Sequence, residues 1–153
     1  MTRQQKYPET GTFHYHNQNP KNRLTGDCII RAISRAMELP YERVLFELAY
    51  MSSETGYSMG DNKNINKYME YYGWKRFSQP KFRNGKKYTG DQFCIAQQSI
   101  LYGYGNTGNW DIYPSDRIVA NIGGHHIVAI VDGKVNDTWD STDGCIGVYW
   151  AKP

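Results

Sequence analysis

The residues of this chain best suited to chemistry are Cys28, His126 and Asp137. A thiolate is a strong nucleophile, and a nearby imidazole can act as its base when a carboxylate orients the ring. Most free cysteines are instead small buried hydrophobes. We assign that buried role to Cys94, which lies in an apolar stretch, and to Cys145, which has no helix start behind it. The hypothesis therefore depends on the elements that position the first three residues.

An Asp132-Gly133 pair between two β-rich runs predicts a two-residue hairpin. In that register His126 faces Trp139, and Asp137 lies on the diagonal from His126, about 7–8 Å away between backbones. Because side chains alternate across a sheet, these residues share a face. That face is the more apolar one, and we expect it to pack on a helix; it carries His126, Val128, Ile130, Val135, Asp137 and Trp139. A carboxylate there would fix the imidazole tautomer and leave the other ring nitrogen free as a base.

Two alternatives to this pair stay open. A register slipped by one residue would make His125 and Asp140 the candidate pair, since the slip moves the opposite face inward. Alternatively, His126 is a core histidine and Asp137 a carboxylate beside the turn. The location of both on the apolar face argues against that simpler interpretation. Trp139 would either shield the histidine–carboxylate hydrogen bond from water or serve as an ordinary core aromatic.

Cys28 lies at the predicted start of a helix over residues 28–38. Apolar side chains form a broad stripe there, Arg31 and Arg35 fall four residues apart on a polar stripe, and Asp27 suits the N-cap position. A helix N-terminus carries partial positive charge and unpaired N–H groups, which favour a thiolate and lower its pKa. The same N–H groups can hold the oxyanion that forms when a thiolate attacks a carbonyl.

The rest of the chain predicts helices followed by a sheet, which indicates the α+β class. Residues 1–20 are polar and are interpreted as an extended lead-in to a single domain over residues 21–153. Further helices are predicted at residues 41–51, 62–72 and 91–99, and strands at residues 117–121, 126–131, 134–139 and 146–150.

Composition indicates a globular chain, since 39% of the residues are hydrophobic and 22% are charged. The net charge of +3 is too small to indicate nucleic-acid binding. The basic run at residues 81–87 is interpreted first as a solvated loop or hairpin rim, with a phosphate contact as the less favoured alternative. No stretch has the length of a membrane span, and the N-terminus lacks an apolar signal core. We therefore expect a cytoplasmic location, with no membrane partner and free thiols.

Two other segments are candidate binding sites. His14 and His16 would lie on one side of an extended segment and could join His125, but no further ligand spacing accompanies them, so no metal is predicted. The glycine-rich stretch at residues 102–108 lacks the lysine-serine ending of a phosphate loop. We interpret it as an aromatic loop near a substrate cleft, or as a surface for a partner.

Two blocks of sequence resemble a known family. Residues 26–33 read GDC-x-x-R-A-I, and residues 126–140 read H-x-V-A-x-x-D-G-x-x-x-D-T-W-D. Both look like small bacterial and phage proteins described as uncharacterised or peptidase-like. The chain order of cysteine, histidine and aspartate also resembles the papain-like cysteine peptidases. The similarity covers most of residues 18–150 but is specific in those two blocks alone.

The resemblance implies a papain-like core, in which N-terminal helices, with the central one opened by Cys28, pack on a C-terminal antiparallel sheet. It implies a thiol protease or related hydrolase, with Cys28, His126 and Asp137 as catalytic residues and no cofactor. The substrate would be a protein or peptide, and the compartment the cytoplasm of a bacterial host if the chain is encoded by a phage or prophage. Oligomeric state is not predicted.

The resemblance also suggests where an oxyanion would be held. Papain-like enzymes use a glutamine before the cysteine, and Asn22 occupies the position six residues before Cys28. Asparagine is shorter by one methylene, so this chain departs from the family pattern there. The backbone N–H of Cys28 would be the second donor. The alternative to an enzyme is a catalytically silent, peptidase-like module that captures a host factor or a small ligand.

Overall fold

The protein is described by a computed structural model that covers residues 1–103 and 112–153, so most of the glycine-rich stretch lies outside the described residues. Within them the chain forms five helices and six strands. The helices are α1 (Arg3–Lys6), α2 (Cys28–Met37), α3 (Tyr41–Thr55), α4 (Asn62–Tyr71) and α5 (Gly90–Tyr102). The strands are β1 (Phe13–Tyr15), β2 (Lys75–Phe77), β3 (Arg117–Ile122), β4 (His126–Val131), β5 (Lys134–Asp137) and β6 (Ile146–Ala151).

The six strands form one sheet in the order β1-β5-β4-β3-β6-β2. Neighbouring strands are antiparallel except at one edge, where β1 runs parallel to β5. The α+β class is therefore confirmed, but the sheet is mixed rather than purely antiparallel. The expected lead-in at residues 1–20 contains α1 and β1, and its Phe13 is fully buried. A three-residue strand is too short to show a periodic pattern, which is why β1 and β2 were not predicted.

The Asp132-Gly133 hairpin has the predicted register. Val131 pairs with Lys134 and Ile130 with Val135. Both turn residues have positive φ, 53° at Asp132 and 74° at Gly133, as a type I′ turn requires. This turn matches the right-handed twist of the strands, so the local sequence determines how β4 and β5 are aligned.

Helices cover both faces of the sheet. On one face α2 packs across β4, and Ile127, Ala129 and Val131 share one apolar cluster with residues of α2, α3 and α4. On the other face α5 packs against residues that include Val128 and Ile130. The face expected to pack on a helix does so, against α5, but the opposite face is covered as well, and α2, opened by Cys28, lies across that opposite face. A sheet covered on both sides buries both sets of alternating residues.

The central helix α2 is held by its apolar side chains. Ile29, Ile30 and Ile33 are all buried, and full burial of one such side chain contributes about 1.5–3 kcal/mol. The helix ends at Glu38, which adopts the left-handed conformation with φ 55° ahead of Pro40. Its N-terminus lies beside the start of β4, where Cys28 meets His126 and Ile127. No helix in the described ranges combines the length and apolar character needed to cross a membrane.

Candidate active site at the start of α2

Cys28 is the first residue of α2 and is partly buried. Its sulfur is hydrogen-bonded to the His126 ring and accepts a hydrogen bond from the backbone N–H of Ile127. Burial raises the pKa of the thiol, but these two hydrogen bonds and the positive charges of His126 and Arg31 outweigh burial. The net result is a lowered thiol pKa, which favours the thiolate.

His126 is the first residue of β4 and follows a turn with positive φ at Gly123 and Gly124. Its Nε2 lies 2.5 Å from Oδ2 of Asp137, a carboxylate that is 1% exposed. Since Nε2 is occupied, Nδ1 is the ring nitrogen that remains for the Cys28 thiol. The Trp139 ring lies beyond the end of β5, 5.1 Å from the imidazole, centroid to centroid, and tilted by 34° to it.

The electrostatics of His126 favour its protonated form. Burial lowers the pKa of the imidazole, but hydrogen bonds with Asp137 and Cys28, and the charges of both, raise it to about 9. The shifts of thiol and imidazole are therefore opposite in direction. Together they favour a thiolate–imidazolium pair at neutral pH, which is the reactive form of a cysteine nucleophile.

Asp137 lies one residue beyond the last pair of the β4–β5 ladder, although it still pairs with Tyr15 of β1. Strict alternation would place its side chain with Val135, on the face covered by α5. The ladder between β4 and β5 stops at the Ala129–Asn136 pair. Asp137 is the last residue of β5, and its carboxylate contacts Arg31 of α2 and His126 instead. The end of the ladder, rather than the diagonal of a regular sheet, brings the carboxylate to the imidazole.

Arg31, expected on a polar stripe of α2, is a buried residue of the site. It is only 8% exposed. Its Nε lies 2.8 Å from Oδ1 of Asp27, and its Nη1 lies 3.1 Å from Oδ1 of Asp137. The spacing of Asp27 and Arg31, four residues apart at a helix start, was the available signal for the first of these ion pairs. The second joins residues far apart in sequence and had no local signal.

Asp27 occupies the N-cap position of α2 but its side chain makes no capping hydrogen bond. Besides Arg31, the carboxylate accepts hydrogen bonds from Asn19 Nδ2 at 2.9 Å and from the Tyr41 hydroxyl at 2.7 Å. The predicted cap is thus replaced by a network around the carboxylate. As a result, Asp27 does not occupy the first-turn N–H groups of α2, which can hold an oxyanion.

Asn22, the predicted side-chain donor to the oxyanion, is exposed and adopts a left-handed backbone conformation with φ 54°. Its Oδ1 accepts a hydrogen bond from Asn17 Nδ2 at 3.3 Å. The described residues show no hydrogen bond between Asn22 and Cys28. Asn22 therefore contacts its own loop, and its role at the oxyanion stays a prediction.

The alternative pair of His125 and Asp140 is not assembled. His125 is exposed in the turn before β4. The Asp140 carboxylate accepts hydrogen bonds from the Thr142 backbone N–H at 3.0 Å and from the Thr142 hydroxyl at 2.6 Å. The slipped register was wrong because the Asp132-Gly133 turn imposes the other alignment.

The remaining histidines and cysteines lie outside this cluster. His14 pairs with Glu9, and His16 with Gln18. No group of three or more potential metal ligands occurs in residues 1–103 and 112–153. Cys94 is fully buried as predicted, whereas Cys145 is exposed and that prediction was wrong. Its neighbour in β6 points inward, and alternation turns the Cys145 side chain outward.

Comparisons with known proteins add no assignment to this geometry. A scan against protein-family models and searches of curated proteins and of solved structures found no match to this chain.

Proposed function

We propose that this chain is a cysteine-dependent hydrolase or acyl transferase, with a papain-like core, that acts on an amide, isopeptide or ester bond of a protein or peptide. The observation that carries the proposal is the contact of the Cys28 thiol with an imidazole whose other nitrogen is held by Asp137. A nucleophile, a base and a group that orients the base together form the arrangement with which a thiol carries out acyl transfer.

The reaction follows from the protonation states of the pair. The Cys28 thiolate attacks the carbonyl carbon, and the resulting oxyanion accepts hydrogen bonds from first-turn N–H groups of α2. The His126 imidazolium donates its proton to the leaving amine or alcohol as the carbonyl re-forms, which leaves a thioester on Cys28. The neutral imidazole then takes a proton from water or from an acceptor amine, which attacks the thioester. Collapse of that intermediate releases the acyl product and restores the thiolate–imidazolium pair.

The first test is selective alkylation of the wild-type protein by iodoacetamide at neutral pH, followed by peptide mass spectrometry. Cys145 is the internal control because it is exposed and carries no histidine contact in the described structure. We expect Cys28 to react first although it is partly buried, with Cys94 unreactive until the protein unfolds. Equal, slow labelling of Cys28 and Cys145 would contradict the proposal.

The second test asks for turnover. An activated ester such as p-nitrophenyl acetate should give a burst of p-nitrophenol and an acetyl group on Cys28, detectable by the mass of the intact protein. Selective alkylation of Cys28 without formation or hydrolysis of this thioester would favour a binding module.

One feature favours that binding module as the second candidate. A groove of about 540 Å³ lies between α3 and α4. Its lining includes Phe46, Tyr50 and Tyr71, which are 69%, 68% and 76% exposed. Exposed aromatic side chains are typical of interaction surfaces. Capture of a host factor or small ligand would then be the function, with the cysteine site silent.

A further inference from the structure

Arg31 joins the two parts of the candidate site. Cys28 and Arg31 lie one turn apart on α2, whereas His126 and Asp137 lie on the β4–β5 hairpin. The Arg31–Asp137 ion pair connects helix and hairpin directly beside the thiol and the imidazole. Both partners are nearly inaccessible, with side chains 10% and 1% exposed. An ion pair this buried is screened little by solvent, so its geometry is well defined.

The two oxygens of Asp137 have separate partners. Oδ1 accepts hydrogen bonds from Arg31 Nη1 at 3.1 Å and from the Thr138 backbone N–H at 2.7 Å. Oδ2 faces His126 Nε2 at 2.5 Å. Since both donors to Oδ1 fix the rotation of the carboxylate, Oδ2 is directed at the imidazole. The ring orientation that presents Nδ1 to Cys28 depends on that direction.

The guanidinium also holds the residue that precedes the nucleophile. Arg31 Nε donates to Oδ1 of Asp27 at 2.8 Å, while the Asp27 carboxylate is fixed further by Asn19 and Tyr41. One planar group thus bridges the carboxylate before Cys28 and the carboxylate behind His126. A lysine ammonium is a single point charge and does not reproduce this two-sided geometry.

We propose that Arg31 is a positioning residue, which holds Asp137 and the start of α2 in one arrangement so that the Cys28 sulfur meets the His126 ring. This inference rests on the proposed function. It assigns a role in thiol reactivity to a residue that touches neither a substrate nor the sulfur. A purely structural ion pair would instead change the stability of the fold and leave the reactivity of Cys28 in the folded protein unaltered.

The experiment measures the rate of Cys28 alkylation by iodoacetamide against pH in the full chain, for wild type, Arg31→Met and Arg31→Lys. Circular dichroism and urea unfolding establish which variants are folded. The matched control is Arg35→Met, one turn further along α2, because Arg35 Nε bonds Asn136 Oδ1 at 3.1 Å and does not contact Asp137. The control removes an equivalent side chain that joins the same helix to the same hairpin.

We expect Arg31→Met to shift the midpoint pH of the alkylation profile to a value about one unit higher. This is the low end of the effect of a nearby charge on a pKa. At a pH below both midpoints the rate then falls about tenfold. Arg31→Lys retains the charge but not the geometry, and we expect a shift in the same direction. Arg35→Met should keep the wild-type profile.

The combination with Asp137→Asn separates positioning from other effects. If Arg31 acts through Asp137, Cys28 of the double variant Arg31→Met/Asp137→Asn is alkylated at the same rate as Cys28 of Asp137→Asn alone. Wild-type profiles in folded Arg31→Met, or in Arg31→Lys where the methionine variant does not fold, would overturn the inference. Failure of selective Cys28 labelling in the wild type would overturn the proposed function instead, so the two outcomes are distinguishable.

Discussion

Cys28 and Cys94 are both carried by helices that pack on the central sheet, yet their thiols have opposite properties. Cys28 opens α2 on one side, and hydrogen bonds and nearby positive charge lower its pKa despite burial. Cys94 lies inside α5 on the other side, fully buried among apolar side chains, and burial raises its pKa. The hydrogen bond to Cys94 from the backbone of Val135 does not offset that burial.

The difference shows what converts a buried cysteine into a candidate nucleophile. Both thiols are desolvated, and desolvation alone disfavours a thiolate. Only Cys28 adds a helix N-terminus, an imidazole and a buried guanidinium around the sulfur. Position within the helix and the identity of the facing strand residue therefore decide reactivity, and each can be changed separately.

Removing the two thiols should give the largest contrast. We expect Cys28→Ala to abolish ester hydrolysis and acyl-enzyme formation, because no other described thiol contacts a histidine. Cys94→Ala should retain activity in the folded protein. The measurement is the p-nitrophenol burst with intact-protein mass. Activity that survives in Cys28→Ala would place the nucleophile elsewhere and remove the distinction between the two cysteines.

Removing the imidazole should make Cys28 resemble an ordinary thiol. We expect His126→Ala to lower ester hydrolysis by about 10²–10⁴-fold, the usual contribution of a general acid–base group. Alkylation at neutral pH should slow as the thiol pKa rises. His125→Ala is the matched control, since the neighbouring side chain is exposed. A larger loss in the His125 variant would reverse the assignment of the base.

The pH dependence should separate the two roles of His126. Below the lowered pKa of Cys28 the thiol is protonated, so hydrolysis and alkylation both fall as the pH decreases. Above about 9 the imidazolium loses its proton. Hydrolysis should then fall for want of a proton donor, whereas alkylation continues because the thiolate persists. Parallel profiles for both reactions at high pH would contradict a proton-donating role for His126.

The smallest expected effect is on stability, where substitution of Cys94 should cost more than substitution of Cys28, the reverse of their effects on activity. Cys94→Ser should lower the free energy of unfolding by about 1–3 kcal/mol, the cost of burying a hydroxyl without a strong partner. Cys28→Ser should cost less because that site is partly exposed and already offers polar contacts. Urea unfolding monitored by circular dichroism measures both. Equal costs would mean that the two environments differ less than their contacts indicate.

Several features of the site followed from local sequence. The Asp132-Gly133 turn predicted the alignment of β4 and β5, because a two-residue loop with positive φ admits one register. The helix start at Cys28 followed from the apolar stripe behind it. These signals are local, since neighbouring residues determine both turn geometry and helix periodicity. The contact of His126 with Cys28 does not follow from that register, because strict alternation along β4 groups His126 with Val128 and Ile130 on the face opposite to α2.

Features of the site that depend on the packing of other elements were missed or predicted wrongly. Arg31 was placed on a polar stripe, although it is buried between Asp27 and Asp137. Asp27 was expected to cap α2 and instead belongs to that ion-pair network. Cys145 was expected to be buried and is exposed. In each case the local pattern described the element correctly, but not which surface the next layer would cover.

The sequence by itself determined the chemical groups, the start of the helix and the alignment of the hairpin, because each depends on a few adjacent residues. Only the tertiary structure decided that the Cys28 thiol, the His126 ring and the Asp137 carboxylate are in contact, and that a guanidinium is enclosed with them. The packing of α2 across the end of the β4–β5 ladder brings these groups together. Desolvation there strengthens every charge interaction among them, which no local pattern encodes.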